Sequence, residues 1–150
     1  MKLTPVTASI IQERAYRVIR EGVTETLDEF SLDPRLWSIL SAVQAHPEGI
    51  RLNEVAALLY VQPPLITMRL KELVTLDYIT SKKREDDFRS KYLELTEKGK
   101  VCVIKTNEKL NNRLTELVKG IKEKDLEIYF NVLQSIIFNG DKENKNSTSL

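Results

Sequence analysis

The sequence predicts a mainly α-helical chain with one small β-hairpin, and three observations point to that class. Apolar residues recur at helical spacing over long stretches near both ends of the chain. Two shorter helical patterns, separated by about four residues, stand together in the middle. Directly after them, a charged run is flanked by a short apolar start and by a segment that alternates as a returning strand does. With 150 residues, 41% of them apolar and 30% charged, the chain can bury one core and is short for two ordinary domains.

The first helix is expected from Ser9 to Phe30, where Ile11, Ala15, Val18, Ile19, Val23, Leu27 and Phe30 form a stripe. It is longer than the packing of one small core asks for, so part of the stripe is available to a partner subunit. Asp33-Pro34 opens a second helix, because aspartate accepts free amide hydrogens and proline is pre-set for the first helical position. That helix carries Leu36, Ile39, Leu40 and Val43, and Pro47 with Gly49 stops it. A short helix from Leu52 to Leu59 turns Leu52, Val55, Ala56 and Leu59 to one side. The next starts at Pro63 and runs to about Leu76, with Leu65, Met68 or Arg69, Leu70, Leu73 and Val74 around it.

Tyr78 and Ile79 then begin a strand, residues 81–90 form a charged tip, and Lys91 to Leu95 return. Thr96 can cap a helix carrying Val101, Ile104, Leu110, Leu114, Leu117, Val118 and Ile121, which ends or bends near Gly120. A last helix, Glu123 to Phe138, holds Leu126, Tyr129, Phe130, Leu133, Ile136 and Ile137, and the polar segment 139–150 reads as a flexible tail. Two adjacent short helices followed by a charged hairpin form the winged helix-turn-helix arrangement. The expected division is residues 1–32 and 99–138 for dimerisation and 33–98 for a winged lobe.

Composition narrows the chemistry. No segment of roughly 20 apolar residues is present to span a bilayer, and the N-terminal stretch lacks the pattern of a secretory leader, so a cytoplasmic protein without a membrane partner is expected. The one cysteine, Cys102, has no disulfide partner, and the one histidine, His46, has no cluster to share a zinc ion with. No glycine-rich phosphate loop and no nucleophile with an evident base is found, so neither an enzyme, a metal nor a cofactor is expected. Cys102 reads as a core thiol and His46 as a residue capping or packing at a helix end.

The major groove of duplex DNA admits one helix, and the second helix of a helix-turn-helix enters it N-terminus first. Here that helix brings Gln62, Pro64, Leu65, Thr67, Met68, Arg69 and Lys71. Gln62 can bond an adenine edge, Arg69 a guanine or the backbone, and Leu65 or Pro64 can touch a thymine methyl. The helix N-terminus is also expected to offer free amides to phosphate. The hairpin adds Lys82, Lys83, Arg84, Arg89 and Lys91, with Asp87 placed to hold an arginine in position. A basic projection of this kind can follow the backbone or enter the minor groove. The net charge of +1 carries no global nucleic-acid signature, so the local distribution of charge must supply it.

From Ser31 onward the chain resembles the MarR family of winged helix-turn-helix transcriptional regulators. The stretch LVTLDYITSKKREDDFRSKYLELTEKG carries the likeness through Leu73, Ile79, Asp87, Arg89, Leu95, Thr96 and Gly99. Asp77 stands where the family places a glycine, Phe88 replaces the first arginine of the wing triplet, and Arg51 replaces the usual Ser or Thr cap. The resemblance implies a homodimer joined by the terminal helices, with Ile11, Ala15, Val18, Leu126, Tyr129, Phe130 and Leu133 at the interface. It implies a pseudo-palindromic double-stranded DNA site, and regulation, as a repressor, through a small aromatic effector bound between the dimerisation helices and the lobe. Phe88 and the modest charge motivate the alternative, a winged-helix protein-interaction module without sequence-specific DNA binding.

Overall fold

The computed structural model describes residues 4–83 and 91–147, with side chains described as far as 142. In chain order the elements are α1 (Pro5–Asp28), α2 (Pro34–Gln44), β1 (Ile50–Arg51), α3 (Leu52–Leu58), α4 (Pro63–Thr75), β2 (Ile79–Lys83), β3 (Lys91–Leu95), α5 (Glu97–Leu117) and α6 (Glu123–Ser147). They form two compact units, 1–117 and 118–150, where the sequence suggested one. The reason lies in α6, none of whose described side chains is buried.

In the first unit, α1 starts a turn before Ser9. Thr4 accepts from the Thr7 amide at 3.2 Å while Thr7 Oγ1 accepts from the Thr4 amide at 2.8 Å, and Pro5 takes the first helical position. No residue from 4 to 21 is buried, and burial begins at Gly22, Thr26 and Leu27. This lower part of α1 packs on α5, and Gly22 lets Arg113 approach: a Cβ there would sit 3.0 Å from Arg113 Nε. Asp33 caps α2 by accepting from the Arg35 and Leu36 amides, each at 2.9 Å.

The core gathers one stripe from each helix and one face of the sheet. Leu36, Ile39, Leu40 and Val43 of α2 meet Val55 and Ala56 of α3, Ile66 and Leu73 of α4, and Val103 and Leu110 of α5, with Ile50, Ile79 and Leu93 below them. Truncating a member such as Leu73 to Ala should cost roughly 2–5 kcal/mol. Cys102 lies in this core, 5% exposed, with Sγ 3.9 Å from Thr106 Oγ1.

Two features differ from the sequence reading. The expected hairpin is a three-stranded sheet of order β1-β3-β2, in which Ile50 pairs with Leu93 and Ile79 with Leu95, all antiparallel. A two-residue strand is too short for its alternation to be seen in sequence. Helix α6 also runs to Ser147 instead of stopping at Phe138, so the expected flexible tail is helical up to that residue. Gly140 is tolerated inside a helix at a cost of about 1 kcal/mol, and Lys142 lies 4.2 Å from the centre of the Phe138 ring.

Helices α1, α3 and α4 end in the same way. An amide donates to the carbonyl five residues back, Leu32 to Leu27, Val61 to Ala56 and Tyr78 to Leu73, at 3.1, 3.0 and 2.9 Å. The residue before each adopts a left-handed conformation: Ser31 (φ 56°), Tyr60 (φ 53°) and Asp77 (φ 59°). Glycine is the usual occupant, and none of the three is glycine.

Candidate nucleic-acid interface

The turn between α3 and α4 is held by the Val61 to Ala56 bond, and it leaves Tyr60 85% exposed. The start of α3 is secured without a Ser or Thr cap: Glu54 Oε2 accepts from the Arg51 amide at 2.8 Å, and its Oε1 takes Arg51 Nη2 at 2.8 Å. That ion pair and that amide hold the Glu54 carboxyl below its ordinary range.

Helix α4 divides cleanly by face. Ile66 and Leu73 are buried, with Leu65 and Leu70 half-buried beside them. The opposite side presents Pro64, Thr67, Met68 and Lys71, spaced for one helix face. Of Met68 and Arg69, left open in the sequence, Met68 faces outward at 56% exposure and Arg69 inward at 18%, while the buried apolar residue of this stretch is Ile66, one turn before Arg69. Val74, expected around the helix, is 49% exposed. Gln62 is exposed, and its side chain makes no capping bond.

Arg69 is not among the outward residues. Its side chain is 18% exposed and joins two carboxylates, Asp33 at the head of α2 and Glu72 at 2.6 Å on α4. Its Nε is buried and has no hydrogen-bond partner. Expected to meet a guanine or the DNA backbone, Arg69 is instead a strut between α2 and α4. The pattern hid this because a helix periodicity places residue 69 at the edge of the apolar face without naming its partner. For Asp33, burial alone would push the carboxyl up. The Leu36 amide, the Arg69 guanidinium and the Arg35 amide outweigh that and hold it below the ordinary 3.8.

The expectation of free amides at the start of α4 also fails. Pro63 and Pro64 occupy its first two positions and have no N–H, while the Leu65 amide bonds Gln62 O at 3.0 Å. An anion site made of backbone donors needs those hydrogens.

The wing is anchored where α4 ends. Thr96 Oγ1 donates to Asp77 O at 2.6 Å and accepts from the Gly99 amide at 2.9 Å, and the Thr96 amide donates to Tyr78 O at 3.1 Å. A Cβ at Gly99 would lie 2.0 Å from Tyr78 O. The Leu-Thr-x-x-Gly run thus fastens the first turn of α5 to the start of β2. Tyr78, whose hydroxyl donates to Phe30 O at 3.3 Å, has its pKa pushed up to about 12 by burial and by the neighbouring Cys102 thiol.

Along the wing, Lys82, Lys83 and Lys91 are all exposed. Lys82 pairs with Glu94 at 2.7 Å, whereas Lys83 stands directly opposite Lys91 in the register. Like charges facing across two strands repel, and a bound anion relieves that repulsion. The expectations for Arg84, Asp87, Phe88 and Arg89 lie outside the described residues. Arg35, exposed on the first turn of α2, lines a recess of about 200 Å³ with Ser38, Leu65 and Arg69, and sequence reading passed over it because it breaks no pattern. His46, as expected, closes a helix end: Nδ1 lies 2.7 Å from Ala42 O.

Among the expected interface residues, Ile11, Ala15 and Val18 of α1 are exposed, Ile11 at 50%. In α6, Tyr129 and Phe130 are exposed and Leu126 and Leu133 half-buried. Among the described residues no group of His, Cys, Asp and Glu could hold a metal ion. No helix there is long and apolar enough to cross a membrane.

A tri-helical core, with its second and third helices joined by a tight turn and followed by a sheet-based wing, defines a winged helix-turn-helix protein. Residues 32–99 match the family described as a winged helix DNA-binding domain. Over 110 residues, 73% of the chain, it is 24% identical to the HTH-type transcriptional regulator Hpr of Bacillus cytotoxicus, and the match spans 59% of that protein. A MarR-family transcriptional regulator from Rhodococcus sp. RHA1 superposes with a TM-score of 0.77 at 20% identity, covering 93% of this chain and 98% of that one. The transcriptional repressor CouR bound to a 23-mer DNA duplex gives 0.79 at 21% identity, over 91% and 98%. CouR from Rhodococcus jostii RHA1 bound to p-coumaroyl-CoA gives 0.78 at 22%, over 87% and 92%. The chain has the MarR-type winged helix-turn-helix fold.

Proposed function

We propose that the chain is a dimeric transcriptional regulator that binds double-stranded DNA sequence-specifically, with α4 in the major groove and the wing on the backbone. The observation that carries this reading is the outward face of α4, where Pro64, Thr67, Met68 and Lys71 are exposed in line, continuing into a wing with Lys83 opposed to Lys91. Those lysines supply phosphate contacts, which position the helix for reading. Dimerisation rests on α1 and α6. Each exposes large apolar side chains, Val6, Ile10 and Tyr16 in one and Ile128, Phe130 and Ile137 in the other, that a monomer would leave in water. Residues 1–32 and 99–138 are accordingly the dimerising segments and 33–98 the DNA lobe. The solved CouR complexes with DNA and with p-coumaroyl-CoA support a repressor whose grip is altered by a small molecule. Such a ligand acts through unequal affinity for two spacings of the lobes.

The test is selection of duplexes from a randomised pool at two salt concentrations, with the solution mass measured. Enrichment of an inverted repeat by a dimer, at an affinity that falls with salt, is the expected result; weak and unselective binding overturns it. The protein-interaction alternative draws on the withdrawal of Arg69 from the outward face, and it predicts that same unselective result.

A further inference from the structure

The first turns of α4 carry no group suited to reading guanine. The residue type that forms paired bonds to guanine is Arg or Lys, and the one arginine of α4 is spent between Asp33 and Glu72. Backbone donors are missing as well, because Pro63 and Pro64 lack N–H. Thr67 Oγ1 donates to Pro63 O at 3.1 Å, which leaves its hydroxyl only as an acceptor. What remains outward is apolar: the Pro64 ring and the 56% exposed Met68 thioether, one helical turn apart. Ahead of them, exposed at the N-cap, stands Gln62, whose amide matches the donor and acceptor edge of adenine. Lys71 follows on the same face as Pro64, two turns further along, a point charge suited to phosphate.

Resting on the DNA-binding reading above, we propose that α4 specifies A·T pairs by contact with thymine methyl groups, and that Met68 and Pro64 are the specificity-determining residues. The thymine C5-methyl is the one apolar feature of the major-groove floor. An unbranched, polarisable methionine adapts to it without a fixed geometry. Gln62 on the adenine of such a pair reads the same composition from the other strand.

The experiment takes the full chain and duplexes selected from a randomised pool made with thymidine. Each thymidine of the selected half-site is then replaced in turn by deoxyuridine, which lacks only the methyl. The expected result is a half-site rich in A·T, in which one or more single replacements weaken wild-type binding by about fourfold each, the worth of one buried methyl-sized group. In Met68→Ala, whose side chain is exposed and whose loss leaves the core intact, thymidine and deoxyuridine should bind equally at that position. A half-site centred on G·C, or wild-type affinity indifferent to every deoxyuridine, overturns the proposal while leaving DNA binding in place. Failure to enrich any duplex overturns both readings together.

Discussion

A single methyl group at position 99 has nowhere to go, since its carbon would fall 2.0 Å from a backbone oxygen of Tyr78. Gly99→Ala is therefore expected to cost about 3 kcal/mol or more, read as a lowered denaturant midpoint at unchanged slope. Tyr60 presents the opposite case. It is 85% exposed and held at φ 53°, so Tyr60→Gly removes strain without emptying a pocket and should raise stability by up to about 1 kcal/mol in the same measurement. Asp33 sets a pH dependence. Its folded pKa lies below the ordinary 3.8, so its contribution is present above that value and is lost as pH falls through the lower folded one. Acid titration of stability should be shallower in Asp33→Asn, and an identical acid limb would remove Asp33 from the account. At this scale the helix caps were legible in the sequence, because Asp33 and Pro34 act on the first turn of α2 and Thr96 on the Gly99 amide, each within a few residues; the close approach of Gly99 to Tyr78 was not. Nor was Arg69, since Asp33 is 36 positions distant.

Among the elements, the wing sets stability against binding. Lys83 and Lys91 face each other, so Lys91→Glu should stabilise the fold by a few tenths of a kcal/mol, about the worth of an exposed pair. The same change should weaken duplex binding and flatten its salt dependence, and filter-binding at several ionic strengths reads both effects. If affinity survives, the wing strands do not touch phosphate. For the terminal helices, Ile11→Glu combined with Phe130→Asp places charge on exposed apolar faces and should convert the proposed dimer to a monomer in sedimentation, with the helical circular dichroism of the lobe kept. A dimer that survives both changes has another interface. Every helix was legible from its 3.6-residue periodicity; a capping box moved the start of α1, and the polar composition after Phe138 hid the last turns of α6. The strand β1 was not, because two residues show no period and gain their identity only by pairing with Leu93 and Tyr92.

For the whole molecule, a net charge of +1 gives weak long-range attraction to DNA, so on the proposed reading binding depends on the few lysines of α4 and the wing. The sequence by itself determined the class and order of the elements and the helix caps, since these are set by residues within a turn or two of each other; what Thr96 and Gly99 fasten to, Asp77 and Tyr78, was decided by the tertiary structure. Only the tertiary structure decided which side of α4 meets the core, that Ile66 is buried and Met68 turned outward, and that Arg69 is bound to Asp33 of α2 and Glu72. It also decided that residues 118–150 form a separate unit, in whose helix α6 no described side chain is buried. The physical reason is the same in each case: periodicity gives a helix two faces, and what packs against each face is fixed by chain segments far away in sequence.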